Sequence, residues 1–247
     1  KKTLESRVDG LNKVVYHNKL GTQGERTERV RSIARAIGQQ LGGDLLAQQA
    51  DTAARLAKTD LLTDMVGEFP ELQGTMGGYY ARHDGLSDDI ANAIEDHYKP
   101  RFAGDELPRN QVGLVVALAD KLETLVGMFG IGNLPTGDKD PFALRRHALG
   151  VIRMLTSEKI DLPLDELLRY SARALWANQI RAKDQSLFFD ISFSSWLLPE
   201  LWRHIKSRFN TKDSSEEDID VADFIYDRLA GSLREQGYSA QEVDAVI

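Results

Sequence analysis

One adjacent His-Asp pair occurs in the chain, His83-Asp84, inside the stretch YYARHDGLSDD from Tyr79 to Asp89. An imidazole beside a carboxylate can hold a divalent cation and lower the pKa of a bound water. The sequence has no cysteine, which excludes thiolate sites and disulfides and leaves His, Asp and Glu as the strong ligands. Asp60, His97 in AIEDHY and Asp120 in ALADKL sit in or at the ends of apolar helical runs, so several helices could bring them to one place. A different chemistry is suggested by Lys139 to Arg153, where Lys139, Arg145, Arg146 and Arg153 face one acid, Asp140. Guanidinium forks suit phosphates and base edges.

Helices must position all of these groups, because a 3.6-residue period dominates the apolar pattern and no strand-like alternation is sustained. Thr27 to Leu41 carries Val30, Ile33, Ala34, Ile37 and Leu41 on one face and ends at Gly42-Gly43. Further helices are expected over Asp44 to Ala57, from Asp60 through Val66 with Asp60 as its cap, and over Ser87 to Tyr98, stopped by Pro100. The Gly- and Tyr-bearing stretch Gly74 to Gly85 reads as a turn context around the dyad. Gln111 to Phe129 is apolar enough to be buried on all sides, which sets Asp120, Lys121 and Glu123 apart.

Gly130 to Lys139 is loop, and Asp140-Pro141 has the form of a capping Asp followed by Pro at the first helical position. In the helix that follows, Leu144, Ala148, Val151, Ile152 and Leu155 form the packing stripe. Arg146 and Arg153 lie about 20° apart on its flank at 100° per residue. LPLDELLRYSARALWANQ is one more helix, Phe188 to Phe209 is aromatic-rich, Asn210 to Asp220 is polar and acidic, and Val221 to Gln236 with Ser239 to Ile247 closes the chain, Ser239 and Glu242 making a capping box. Trp176, Trp196 and Trp202 are expected to pack a second helical core or an interface.

Composition bounds the rest. With 31 basic and 38 acidic side chains the formal charge is −7, so nucleic acid is repelled at long range and any contact needs a local basic patch. No apolar run reaches the roughly 20 residues of a membrane span, and the polar start lacks a secretion signal, so a reducing cytoplasm is expected. The absent initiator Met and the ending at Ala245-Val246-Ile247 suggest a fragment of something longer.

The metal-directed residues resemble the pattern of the HD phosphohydrolase superfamily: a His, then His-Asp closing an apolar helix, a later His, and a last Asp. The position matching its His-Asp is Thr59-Asp60 in Leu56-Ala57-Lys58-Thr59-Asp60, and the first His falls near Arg26 or Thr27. Asp60, His97 and Asp120 survive as a vestigial set, and His83-Asp84 lies outside the pattern. Each survivor also has a plain structural reading: Asp60 as a helix cap, Asp120 as a buried carboxylate paired with Lys121 or a neighbour, and His97 as a helix-end charge favoured by the dipole.

EFPELQGTMGGYYARHDG, HYKPRFAGDELP, ALADKLETLVGMFGIG and PTGDKDPFALRRHALGVIRML strongly resemble the β subunit of bacterial tetrameric glycyl-tRNA synthetase, and YDRLAGSLREQGYSAQEVDAVI is similar to the segment before its anticodon-binding tail. The resemblance implies an all-α chain, an HD-domain-like helical bundle over 1–160 followed by a smaller helical segment over 161–247. It implies no catalytic centre, metal or cofactor in this piece, with ATP and magnesium used on the α subunit. Its partners would be tRNA for glycine, the α subunit and the remaining β-subunit domains, with neither membrane nor DNA involved. Lys139, Arg145, Arg146 and Arg153 are then the expected tRNA contacts, with Tyr79, Tyr80 and Phe102 as stacking platforms. Two other readings remain open: a metal-dependent phosphohydrolase using Asp60, His97 and Asp120, and a purely structural module connecting subunits.

Overall fold

A computed structural model describes residues 2–181 and 221–244, and the elements within them are helical except for one short hairpin. Trp196, Trp202 and the aromatic and acidic stretches lie outside the described residues, as do the side chains of Trp176 and Glu242, and with Glu242 the capping box.

The chain enters through a 3-10 helix, Glu5–Lys13, and a hairpin of β1 (Val15–His17) and β2 (Gly21–Thr22) that the apolar pattern does not announce. Thr22 starts α1, Gln23–Leu56, through a capping box with Glu25 that satisfies two of the orphan groups at the helix end. The two helices expected around Gly42-Gly43 are the halves of this one bent element. Gly43 takes φ 67°, which costs glycine little, and the bend brings Gly38 against the Ala47 backbone.

A 3-10 turn, Thr59–Leu62, leads to α2, Asp64–Glu68, which is capped by Thr63 rather than by Asp60. The Gly- and Tyr-bearing stretch is helical: α3 spans Thr75–His83, with Gly77, Gly78 and Ala81 buried where it meets α4, Asp88–Asp96. Small residues allow this approach, for a Cβ on Gly78 would stand 3.2 Å from the Ala91 carbonyl oxygen.

At the centre is α5, Gln111–Gly130, in which every residue from Val112 to Gly130 is buried. It is flanked by α1, α4, α6 (Leu144–Ser157) and α7 (Leu164–Arg181). Helix α6 starts three residues later than Asp140-Pro141 suggests. Asp140 still caps it, its two carboxylate oxygens accepting from the amides of Leu144 and Arg145 at 2.8 and 2.9 Å across a bridge that ends in Ala143 at φ 56°. Leu144, Ala148, Val151 and Ile152 bury as the spacing requires, joined by Met154, while Leu155 is partly buried against the same core. Leu167, Leu168 and Leu175 of α7, with Val221, Phe224 and Ile225 of the helix Val221–Glu235, join that core, so described residues on both sides of position 160 share one interior. No described helix is long and apolar enough to cross a membrane.

Candidate polar centre and basic edge

The charges that α5 buries are answered from α1. Arg26 and Arg29 occupy the face of α1 that also carries Val30, Ile33 and Ile37, so the helix delivers two guanidinium groups into the interior. Arg26 Nη1 lies 3.1 Å from Asp120 Oδ1 and its Nε 2.8 Å from Glu123 Oε2, while Arg29 Nε reaches Glu123 Oε1 at 2.8 Å. Lys58, just after α1, places Nζ 3.4 Å from the same Asp120 oxygen and 3.8 Å from the Tyr98 ring centroid. Arg26 also lies over the Tyr16 ring. Asp120 is thus held by Arg26 and Lys58, not by Lys121, whose Nζ donates to the Tyr98 carbonyl at 3.2 Å.

The electrostatics follow from burial and these pairings. Burial pushes the Asp120 carboxyl up, but Arg26 and Lys58 more than reverse this and hold it well below the usual carboxylate range. Burial brings the Lys58 and Lys121 ammonium groups down to about 8, with Asp120 opposing in both. His97 is fully buried at the end of α4. Its Nδ1 stands 2.6 Å from the Ile94 carbonyl oxygen, which fixes the ring proton there, since a carbonyl only accepts. Burial, then Lys58, holds this imidazole well below its ordinary pKa, so it is neutral. The expected dipole-favoured charge at the helix end is therefore absent.

Asp60 also differs from expectation. Its Oδ2 accepts from the amides of Gly74 and Gly77 at 2.6 and 3.2 Å, so it caps α3 across space instead of starting its own helix. A Cβ at Gly77 would stand 3.2 Å from that oxygen, so glycine keeps the approach open. The dyad is separated from this centre. His83 is exposed as the last residue of α3, and Asp84 Oδ2 accepts from the Leu4 amide at 2.7 Å, tying the entry helix to the bundle.

Asp60, His97 and Asp120 do come together around Lys58 and Tyr98, since Asp60 and Asp120 both act on each of those groups and Asp120 acts on His97. They do not form a cation cage. Among the described residues no group of three His, Asp or Glu could hold a metal ion. Arg26, Lys58, His97 and Asp120 instead line a cavity of about 10 Å³, the size of one water. With Arg26 and Lys58 already beside Asp120, a divalent ion would meet two fixed positive charges, so these residues do not fit one. Of this centre's members, Glu123 stands out in the sequence as an acid inside an apolar helix, whereas Lys58 and Arg29 went unrecognised. Arginines on the apolar stripe of α1 and an acid inside α5 were the available signal.

The basic edge is split. Arg146 and Lys139 are exposed and make no ion pair with described residues. Arg145 Nη2 donates to the Gly137 carbonyl at 2.6 Å, and Arg153 is half-buried, its Nη2 donating to the Asp105 carbonyl at 2.9 Å. Tyr79 and Phe102 are 63% and 58% exposed, as a stacking platform requires, whereas Tyr80 packs against the core.

Comparison with known proteins matches residues 1–247 to the family described as glycyl-tRNA synthetase beta subunit. The chain is 65% identical over its whole length to the glycine-tRNA ligase beta subunit of Paracidovorax citrulli, and 63% and 59% identical to those of Dechloromonas aromatica and Thiobacillus denitrificans. It spans 30% of the length of each of these relatives.

Proposed function

Because this chain belongs to the glycyl-tRNA synthetase beta-subunit family, we propose that it is a tRNA-binding part of that enzyme and supports attachment of glycine to tRNA. The ATP- and magnesium-dependent chemistry is assigned to the α subunit, with the rest of the β chain as a second partner and the cytoplasm as its place. The observation that carries this reading is the exposed Lys139 and Arg146, without an ion pair among the described residues, on the loop and first turn of α6 in a chain of net charge −7. A local cationic edge on an acidic protein attracts phosphate at short range while the remaining surface repels it, which favours one docking orientation. Exposed Tyr79 and Phe102 could stack unpaired bases.

The buried centre is read as an HD-like site that has lost hydrolysis. Arg26 and Lys58 supply internally the positive charge that a cation would bring, and Thr59, buried where a ligating His would stand, spends its hydroxyl on the Leu56 carbonyl. The phosphohydrolase alternative needs Asp120 free to bind metal, and its Oδ1 is taken by Arg26 and Lys58; Asp60 keeps one carboxylate oxygen unpartnered, the other accepting from Gly74 and Gly77.

Fluorescence anisotropy of labelled tRNA for glycine, beside a non-cognate tRNA and at two salt concentrations, tests the binding role. Saturable cognate-preferring binding that weakens with salt, and weakens several-fold on Arg146→Ala, is the expected outcome. No binding at either salt would reject the role and favour the structural module.

A further inference from the structure

The hairpin of β1 and β2 is clamped to the bundle through Tyr16 and Leu20, while Asn18 and Lys19 of its turn stay exposed. Tyr16 lies under Arg26, Arg29 Nη1 donates to the Leu20 carbonyl at 3.1 Å, and the Leu20 side chain is buried beside Gly127, close enough that a Cβ there would stand 3.2 Å from Leu20 Cδ1. His17 ties this turn to Asn133 and Phe142, far along the chain. Its Nδ1 accepts from the Lys19 amide at 3.2 Å, its Nε2 lies 3.2 Å from the Asn133 side-chain amide, and its ring meets Phe142 edge-on at 5.8 Å between centroids. Asn133 and Phe142 bracket the loop that carries Lys139, and Phe142 stands two residues before α6.

One imidazole therefore holds the turn bearing Lys19 against the cationic loop. Lys19 is exposed and without an ion pair among the described residues. Of the two acids in that loop, Asp140 spends its carboxylate on the amides of Leu144 and Arg145, leaving Asp138 opposite Lys19, Lys139, Arg145 and Arg146.

We propose that the Asn18–Lys19 turn is part of the RNA-backbone contact surface, with Lys19 as a phosphate-binding residue and His17 as the positioning residue that sets it beside Lys139 and Arg146. This rests on the tRNA-binding reading above. The surface then spans two segments more than a hundred residues apart in sequence, which suits a ligand read by shape and backbone charge.

The test uses the full-length β subunit assembled with its α subunit and measures affinity for tRNA for glycine across a salt series. Lys19→Ala is expected to weaken binding several-fold and to reduce the slope of log affinity against log salt by about 1, as Arg146→Ala does. His17→Ala should weaken binding in the natural background and have little effect in the Lys19→Ala background, a coupling that a generally loosened fold would not produce. An unchanged Lys19→Ala beside a weakened Arg146→Ala overturns this proposal and leaves the tRNA reading standing. If neither variant moves the affinity, the tRNA reading itself fails. An equal loss from His17→Ala in both backgrounds reduces His17 to a structural residue.

Discussion

Lys121 shows how a buried charge can be tolerated without a carboxylate directly on it. Its ammonium group is inside the bundle, donates to the Tyr98 carbonyl, and is brought down to about 8 by burial, with Asp120 and Asp105 opposing. An unfolded lysine titrates near 10.4. Between those values the unfolded chain holds the extra proton, so Lys121 makes stability rise with pH; below about 8 the cost of burying its charge is present in full. Lys121→Met removes this cost. Its stability relative to the natural chain should therefore fall by about 2 kcal/mol between pH 7.5 and 9.5, measured by urea unfolding. Lys58 titrates in the same range in both proteins and cancels in the difference. A pH-independent gap would mean that Lys121 titrates as an exposed lysine does.

At the scale of elements, the bend of α1 decides where Arg26 and Lys58 stand, since one begins the first half and the other follows the second. The bend depends on Gly38, where a Cβ would lie 2.9 Å from Ala47 Cα and 3.0 Å from Ala47 N, both backbone atoms that cannot step aside. Gly38→Ala should destabilise by about 1–3 kcal/mol by forcing the halves apart. Gly67→Ala is the internal control. It is exposed in α2 with nothing within 4 Å of a new Cβ, so it should be neutral or gain up to about 1 kcal/mol from reduced freedom of the unfolded chain. Urea midpoints of the two variants check this, and equal effects would deny the bend its role. The helices themselves were legible because apolar period and glycine punctuation are local. Helix α3 was not, because buried glycines and tyrosines leave little apolar stripe, and the cap that starts it comes from Asp60, fourteen residues before Gly74.

For the whole molecule, the cationic centre has a thermodynamic consequence. A ligand that binds only the folded chain raises its melting temperature in proportion to the logarithm of its concentration over its Kd. Since Arg26 and Lys58 already meet Asp120, millimolar magnesium or manganese and a chelator should leave the melting temperature unchanged; a shift of several degrees would restore the metal-site reading.

The sequence by itself determined the all-α class, the central buried helix and the family, because each is written in residue identity or short-range spacing. Only the tertiary structure decided which charges meet: that Asp120 answers Arg26 and Lys58 rather than Lys121, that Asp60 caps α3, that Arg145 and Arg153 turn to carbonyls while Arg146 stays exposed, and that His17 joins a hairpin to a loop more than a hundred residues away. Those choices depend on geometry between helices distant in sequence, where burial makes a charge costly unless a partner reaches it, and no spacing along the chain records which partner does.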